Sequence, residues 1–225
     1  MTSKARNCKT FREREALFFK KRAAAAGVYT TNLVKGAPNI VTKENISDGY
    51  AIAVVCNSGN ANTCNADGIL KAKMMCDLLS KEMNIDAKDI IVASTGVIGQ
   101  KLDVTPIANG MDELVSSLSY NGSEDAAWGI MTTDTKKKEF AFSCTIGGKT
   151  VTVGGMSKGS GMIEPNMATM LGFITTDAAI SPAMLKRALL LAINKSFNRL
   201  VVDGDESTND SVFLMASGKA GNAAI

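Results

Sequence analysis

The 225-residue sequence predicts an α/β fold of mixed sheets with packed helices. Three observations carry that expectation. Short apolar or β-branched runs alternate along the chain with segments whose apolar residues recur every three or four positions, the periods of strands and amphipathic helices. Gly147-Gly148 stands between "FAFSCTI" and "KTVTV", a hairpin signal that calls for antiparallel pairing as well as parallel. Thr105-Pro106 and Ser181-Pro182 each put a proline where a helix begins.

Taken in order, "AGVYTTNLV" (26–34) is β-branched and runs towards Pro38, so it reads as a strand and turn. "YAIAVVC" (50–56) is the nearly continuous apolar run of a strand buried on both faces, and the tightly turned loop "NSGNANTCNADG" follows it. Ile69, Ala72, Met75, Leu79 and Met83 share one face of a helix from 69 to 83. "IIVAST" (90–95) is another buried strand, Thr105-Pro106 opens a helix reaching Leu118, and a short helical signal lies around Asp125–Ile130. After the hairpin come the Gly-rich "GGMSKGSGMIEPNMATMLGFITTDA" (154–178) and a helix from Pro182 to Phe197. A short strand "RLVVD" (199–203) and a helix "DSVFLMAS" (210–217) stopped by Gly218 complete the reading.

The chain contains no histidine. That removes His-based nucleophile activation and every zinc site that needs an imidazole. The five cysteines are odd in number and form no C-x-x-C pair, so neither a disulfide framework nor a metal knot is expected. They suit a reducing compartment. Cys56 and Cys144 lie in apolar runs and read as inert. The longest apolar run, "ALLLAI" (188–193), is far short of the roughly 20 residues of a membrane span, so no membrane partner is expected. Residues 1–22 carry a net +6 and the remainder −3. With no nucleic-acid motif beside it, the basic segment reads as a solvated terminus, and no nucleic-acid partner is expected.

Four segments are weighed for chemistry. In "KGSGMIEPNMATML" (158–171) Lys158 precedes the glycines, the reverse of a P-loop. The segment reads either as a turn or anion-binding nest, or as the site of a threonine nucleophile. Without histidine, one base open to the Thr169 hydroxyl is the α-amine of Thr169 itself, with a pKa of about 8, and that amine exists only if the Ala168–Thr169 bond is cut. In "ASTGVIG" (93–99) a strand ends at Thr95-Gly96, where backbone N–H groups can approach a developing oxyanion; an ordinary strand–turn is the alternative. "TTDTKKKE" (132–139) offers hydroxyls and lysines to a carboxylate, or is a solvated turn. "DGDESTND" (203–210) departs from a calcium loop at its sixth and twelfth positions and reads as a helix cap made by Ser207, Thr208 or Asn209.

Together, "AAAAGVYTTN", "VVCNSGNAN", "STGVIG", "MTTDT", "GGMSKGSGMIEPNMATML" and "DGDESTND" resemble, in order and from about Ala23 to Asn222, the bifunctional ornithine acetyltransferase (glutamate N-acetyltransferase) family of arginine biosynthesis. The resemblance implies a self-cleaving α/β fold akin in mechanism to N-terminal nucleophile hydrolases. It implies cleavage between Ala168 and Thr169, Thr169 as nucleophile, Thr95 and Gly96 as oxyanion hole, and Thr132, Lys158 and Thr169 as substrate contacts. The reaction implied is acetyl transfer from N2-acetyl-L-ornithine to L-glutamate through acetyl-threonine, without a cofactor; acetyl-CoA stays open as a co-substrate. The partner chains implied are α and β chains of one precursor in an α2β2 heterotetramer. In these terms residues 1–22 are an atypical basic segment, 23–168 the α chain, and 169–225 the opening part of a β chain that in the family continues past "AGN". A Thr-nucleophile amidase or aminopeptidase-like hydrolase and an inactive fragment are the alternatives.

Overall fold

The computed structural model of the chain describes residues 2–4, 14–162 and 170–225. In chain order the elements are β1 (Thr2–Lys4), β2 (Arg14–Tyr29), α1 (Ala37–Asn45), β3 (Tyr50–Asn60), α2 (Gly68–Met83), β4 (Ile90–Val97), α3 (Thr105–Asn109) and α4 (Met111–Ser116). They continue with α5 (Ser123–Gly129), β5 (Lys138–Ile146), β6 (Lys149–Lys158), β7 (Leu171–Thr176), α6 (Pro182–Lys195) and β8 (Ser211–Ala216). The strands form one mixed sheet in the order β4-β3-β2-β8-β7-β6-β5, with β1 beside β2. β3–β4 and β7–β8 are parallel and the other pairs antiparallel, so the α/β mixed sheet expected from the sequence is observed.

The sheet folds over on itself and buries apolar residues in three layers. Ala53 and Val55 of β3 and Ile90 and Val92 of β4 meet Val41 of α1 and Met75 and Leu79 of α2. On the opposite face of the same strands, Val54, Cys56, Ile91 and Ala93 join Phe173 of β7 and Phe213 and Met215 of β8. The far side of β2 and β8 is covered by Leu185, Leu189 and Ile193 of α6. β2 bends where its register against β3 shifts between Phe18 and Ala23, and such an irregularity increases local twist and curl.

The helix from 68 to 83 and the Gly147-Gly148 hairpin form as expected, both glycines having positive φ as a tight two-residue turn requires. Other expectations need correction. The strand placed at 26–34 ends at Tyr29, because Thr30 and Asn32 turn to the 206–210 segment: the Thr30 hydroxyl donates to the Ser207 carbonyl at 2.7 Å and the Asn32 amide to the Glu206 carbonyl at 2.9 Å. The helix expected from 105 to 118 breaks at Gly110 into α3 and α4. The segment 210–217 is the strand β8 and not a helix. It lies between β2 and β7 with both faces covered, Phe213 and Met215 on one side and Val212 and Ala216 on the other, so its sequence shows no alternation. "RLVVD" pairs with no strand among the described residues; Phe197–Arg199 is a 3₁₀ turn, and Leu200, Val201 and Val202 are exposed. Cys144 is exposed on β5, because that edge strand covers nothing with its outer face, whereas Cys56 is buried as expected.

Candidate active site

Thr95 and Gly96 lie just before the last residue of β4, Val97, so the strand runs past the end expected from the sequence, and the parallel partner β3 brings Gly59 into register with Gly96. The approach is so close that a Cβ on Gly96 would lie 2.2 Å from the Gly59 carbonyl carbon, and Gly96 has φ +129°. Only glycine fits there, and its absence of side chain leaves the strand end open to a cavity. Thr95, one residue earlier, is buried.

β6 ends at Lys158, paired in register with Leu171 of β7. Its ammonium donates to Thr95 Oγ1 at 3.0 Å and to Thr132 Oγ1 at 2.9 Å. Thr132 sits in the turn after α5, which is tied to the end of β3 by a 2.9 Å hydrogen bond from the Ser58 hydroxyl to the Met131 carbonyl. A lysine only donates, so both threonine hydroxyls act as acceptors towards it and keep their own hydrogens for a ligand. Burial pushes the Lys158 ammonium below the ordinary lysine value, opposed most strongly by the charge of Asp134. A buried ammonium that is still hydrogen-bonded is a strong partner for a carboxylate.

Gly159 follows Lys158, and its N–H donates to Asp134 Oδ1 at 2.8 Å. Burial alone would raise the Asp134 carboxyl, but the Lys138 ammonium at 2.7 Å and the Gly159 N–H outweigh it and hold it below the ordinary aspartate value. The next turn is anchored twice more: the Thr133 and Ser160 hydroxyls meet at 2.7 Å, and Asp203 Oδ2 accepts the Met162 N–H at 2.5 Å. Met162 is exposed at this wall.

The opposite wall comes from the segment leading into β8. Asn209 is buried, and its amide nitrogen donates to the Ala61 and Ser94 carbonyls at 2.6 and 2.9 Å while its oxygen accepts the Thr63 and Thr208 hydroxyls. The expected helix cap at Ser207–Asn209 is therefore a buried polar brace, since the next element is the strand β8. Between these walls lies a cavity of about 650 Å³ lined by Thr95, Gly96, Thr132, Lys158, Met162 and Asn209. That size is within the range of small-molecule sites.

Thr95, Gly96, Thr132 and Lys158, singled out from the sequence, thus converge on one cavity. Ala168 and Thr169 lie outside the described residues. The next residue in the chain, Met170, is buried, and its carbonyl accepts the Ser211 N–H at 3.0 Å. Asp134 and Asn209 were missed as members of the site. Both sit inside the quoted motifs "MTTDT" and "DGDESTND", but a polar residue in a loop gives no local sign that it is buried.

The model of the family described as the ArgJ family matches residues 3–224, which takes in the basic segment that the sequence resemblance left out. The arginine biosynthesis bifunctional protein ArgJ of Symbiobacterium thermophilum is 52% identical over 203 residues, 90% of this chain and 50% of its own length. A glutamate N-acetyltransferase of Methanocaldococcus jannaschii is 46% identical over 206 residues, again 90% of this chain and 51% of its own. The chain spans about half the length of the curated relatives it matches. Among solved structures, ArgJ from Bacillus halodurans superposes with a TM-score of 0.69 at 37% identity, covering 73% of this chain and 88% of that one. The ornithine acetyltransferase of Mycobacterium tuberculosis, solved with ornithine, gives 0.60 at 29% identity, covering 68% and 82%. A Burkholderia β-aminopeptidase gives 0.55 at 13% identity, covering 100% and 71%, which is a likeness of fold alone.

Proposed function

Because the chain belongs to the ArgJ family, we propose that its site transfers the acetyl group of N2-acetyl-L-ornithine to L-glutamate through an acetyl-Thr169 intermediate, releasing ornithine and N-acetylglutamate. The observation that carries the reading is the Lys158 ammonium held between the Thr95 and Thr132 hydroxyls beside the open end of β4. It combines a cation for a substrate carboxylate with hydroxyl and N–H donors for a carbonyl oxygen.

In maturation the Thr169 hydroxyl attacks the Ala168 carbonyl and the Ala168–Thr169 carbon–nitrogen bond breaks, which frees the Thr169 amine and leaves Ala168 as an ester on Oγ; water then hydrolyses that ester to the Ala168 carboxylate and the Thr169 hydroxyl. In turnover that amine takes the hydroxyl proton as Thr169 Oγ bonds to the acetyl carbon. The Thr95 hydroxyl and the Gly96 N–H receive the negative charge on the acetyl oxygen. Collapse breaks the carbon–nitrogen bond, and the proton passes from the Thr169 ammonium to the departing ornithine. Glutamate's amine then attacks the acetyl ester, loses a proton to Thr169 and leaves as N-acetylglutamate. Lys158 and Thr132 hold the α-carboxylate of each substrate in turn, so one geometry serves both halves of the cycle.

No cofactor enters this chemistry; acetyl-CoA is a second donor that the same nucleophile could accept. The full assembly in this reading is an α2β2 heterotetramer of α and β chains cut from one precursor, in the cytoplasm or, in a eukaryote, the mitochondrial matrix. The hydrolase alternative is weaker, because the aminopeptidase likeness stops at the fold.

Intact mass of the purified chain tests maturation: cleavage yields pieces of 168 and 57 residues, and Thr169→Ala leaves one chain. Release of ornithine from N-acetylornithine then has to depend on glutamate. Release into water alone would establish the hydrolase, and a stable uncut chain would remove the self-generated nucleophile.

A further inference from the structure

The Asp134 side chain has no solvent exposure. Its Oδ1 accepts the Gly159 N–H at 2.8 Å and the Lys138 ammonium at 2.7 Å, and its Oδ2 lies 3.4 Å from the Thr132 nitrogen, which donates to it weakly. Gly159 directly follows Lys158, and Thr132 carries one of the two hydroxyls that the Lys158 ammonium meets. A single carboxylate therefore restrains both the backbone beside the ammonium and the backbone that presents its hydroxyl partner. Lys138 begins β5 and pairs in register with Ser157, so the third contact ties the same carboxylate to the base of the hairpin.

Burying a carboxylate is costly unless its charge and lone pairs are met. An asparagine could accept the Gly159 N–H equally well. What the carboxylate adds is negative charge next to an ammonium that has itself been taken out of water. Burial works against the charged form of Lys158; Asp134, Cys56 and Asp210 favour it, and Lys138 opposes it.

We propose that Asp134 is a positioning residue of this site, which keeps the Lys158 ammonium charged and seated between Thr95 and Thr132, ready for a substrate carboxylate. The proposal deepens the acetyl-transfer reading and rests on it for the nature of the substrate. The seating of Lys158 does not depend on it.

The test is a pulse of an amine-acetylating reagent on the full chain over a pH series, with modification of Lys158 read by mass spectrometry and the exposed Lys136 as internal reference. In Asp134→Asn the midpoint of Lys158 modification falls, and each unit of fall gives about tenfold more modification at a fixed pH below it. Lys136 is unchanged, and Asp134→Glu restores the wild-type midpoint. A turn that had merely loosened would admit water and move the midpoint up, towards the ordinary lysine value. A midpoint that stays or rises in folded Asp134→Asn overturns the proposal. Should that variant not fold, Asp134→Ser, which also removes the charge, is read in the same way. If the midpoint falls but the wild-type chain moves no acetyl group to glutamate, the positioning of Lys158 stands and the proposed function fails.

Discussion

Lys158 Nζ lies 3.0 Å from Thr95 Oγ1, although their strands, β6 and β4, are five positions apart in the sheet. In a flat sheet five strand spacings amount to about 24 Å. The contact exists because the sheet folds over and brings the end of one edge region onto the end of the other, with the Cys56–Phe173–Phe213 layer packed between. The cavity is thus a product of the curl, and its residues act as a unit.

In the proposed reaction, replacing Lys158 by Ala removes the cation that holds the substrate carboxylate and leaves the proposed nucleophile and oxyanion donors unaltered. The KM for N-acetylornithine is expected to rise about 10- to 100-fold, the worth of a charged hydrogen bond, with kcat and the rate of cleavage at Ala168–Thr169 changed less. Steady-state kinetics and intact mass measure the two effects, and unchanged kinetics would withdraw Lys158 from substrate binding.

Gly96→Ala puts a Cβ into the Gly59 carbonyl at a backbone angle that L side chains rarely adopt. We expect a loss of about 2–4 kcal/mol of stability together with loss of transfer activity, since relief of the clash separates β3 from β4 at the site. Urea unfolding of the purified variant checks the first effect. A stability equal to wild type would show that β3 and β4 need not approach as described.

Asn209→Ala leaves the Ala61 and Ser94 carbonyls and the Thr63 and Thr208 hydroxyls without their shared partner. Buried groups left unpaired cost about 1–3 kcal/mol each before relaxation, so this single truncation is expected to cost at least about 2 kcal/mol. An unfolding midpoint within error of wild type would contradict the brace.

The lowered Asp134 carboxyl makes stability depend on pH in a definite direction. Its folded value lies below its unfolded one, so its contribution is fully present above the unfolded value and disappears as pH falls through the folded value. Between about pH 5 and pH 2 the wild type is expected to lose more stability than Asp134→Asn, and urea midpoints across that range measure the difference. Parallel curves for the two proteins would show that Asp134 is not held ionised by the fold.

Thiol labelling separates the four cysteines among the described residues. Cys64 and Cys144 are exposed, Cys56 and Cys76 are buried, and burial pushes the Cys76 thiol up to about 12. At about pH 8 a thiol reagent is expected to modify Cys64 and Cys144 in the folded chain and Cys56 and Cys76 only on unfolding. Peptide mapping after labelling gives the answer, and rapid modification of Cys76 in the folded protein would contradict its place under α1.

Much of the local structure was legible in the sequence because it depends on a segment's own backbone and pattern. The stripe Ala72–Met75–Leu79 needs only a 3.6-residue period to define α2, and Gly147-Gly148 needs only its own positive φ angles to turn the hairpin. Thr95-Gly96 was identifiable for the same reason, as the close of an apolar run at a glycine free to approach its neighbour. β8 was not legible: "SVFLMA" is apolar at every position except its first, because it is covered on both faces, and a run without a period is equally compatible with a buried helix. Only the open slot between β2 and β7 makes it a strand.

The sequence by itself pointed to the residues open to chemistry without histidine: Thr169 with the amine that cleavage would give it, Gly96 near a strand end and Lys158 before a pair of glycines. Only the tertiary structure decided that Lys158 meets Thr95 and Thr132, that Asp134 is buried beside them and that Asn209 braces the wall instead of capping a helix. The reason is physical. The contacts of Lys158 with Thr95 and Thr132, and of Asn209 with the Ala61 and Ser94 carbonyls, join segments separated by 26 to 148 positions, and their formation depends on how far the sheet curls. Curl is set by the packing of the whole core, which no local period records.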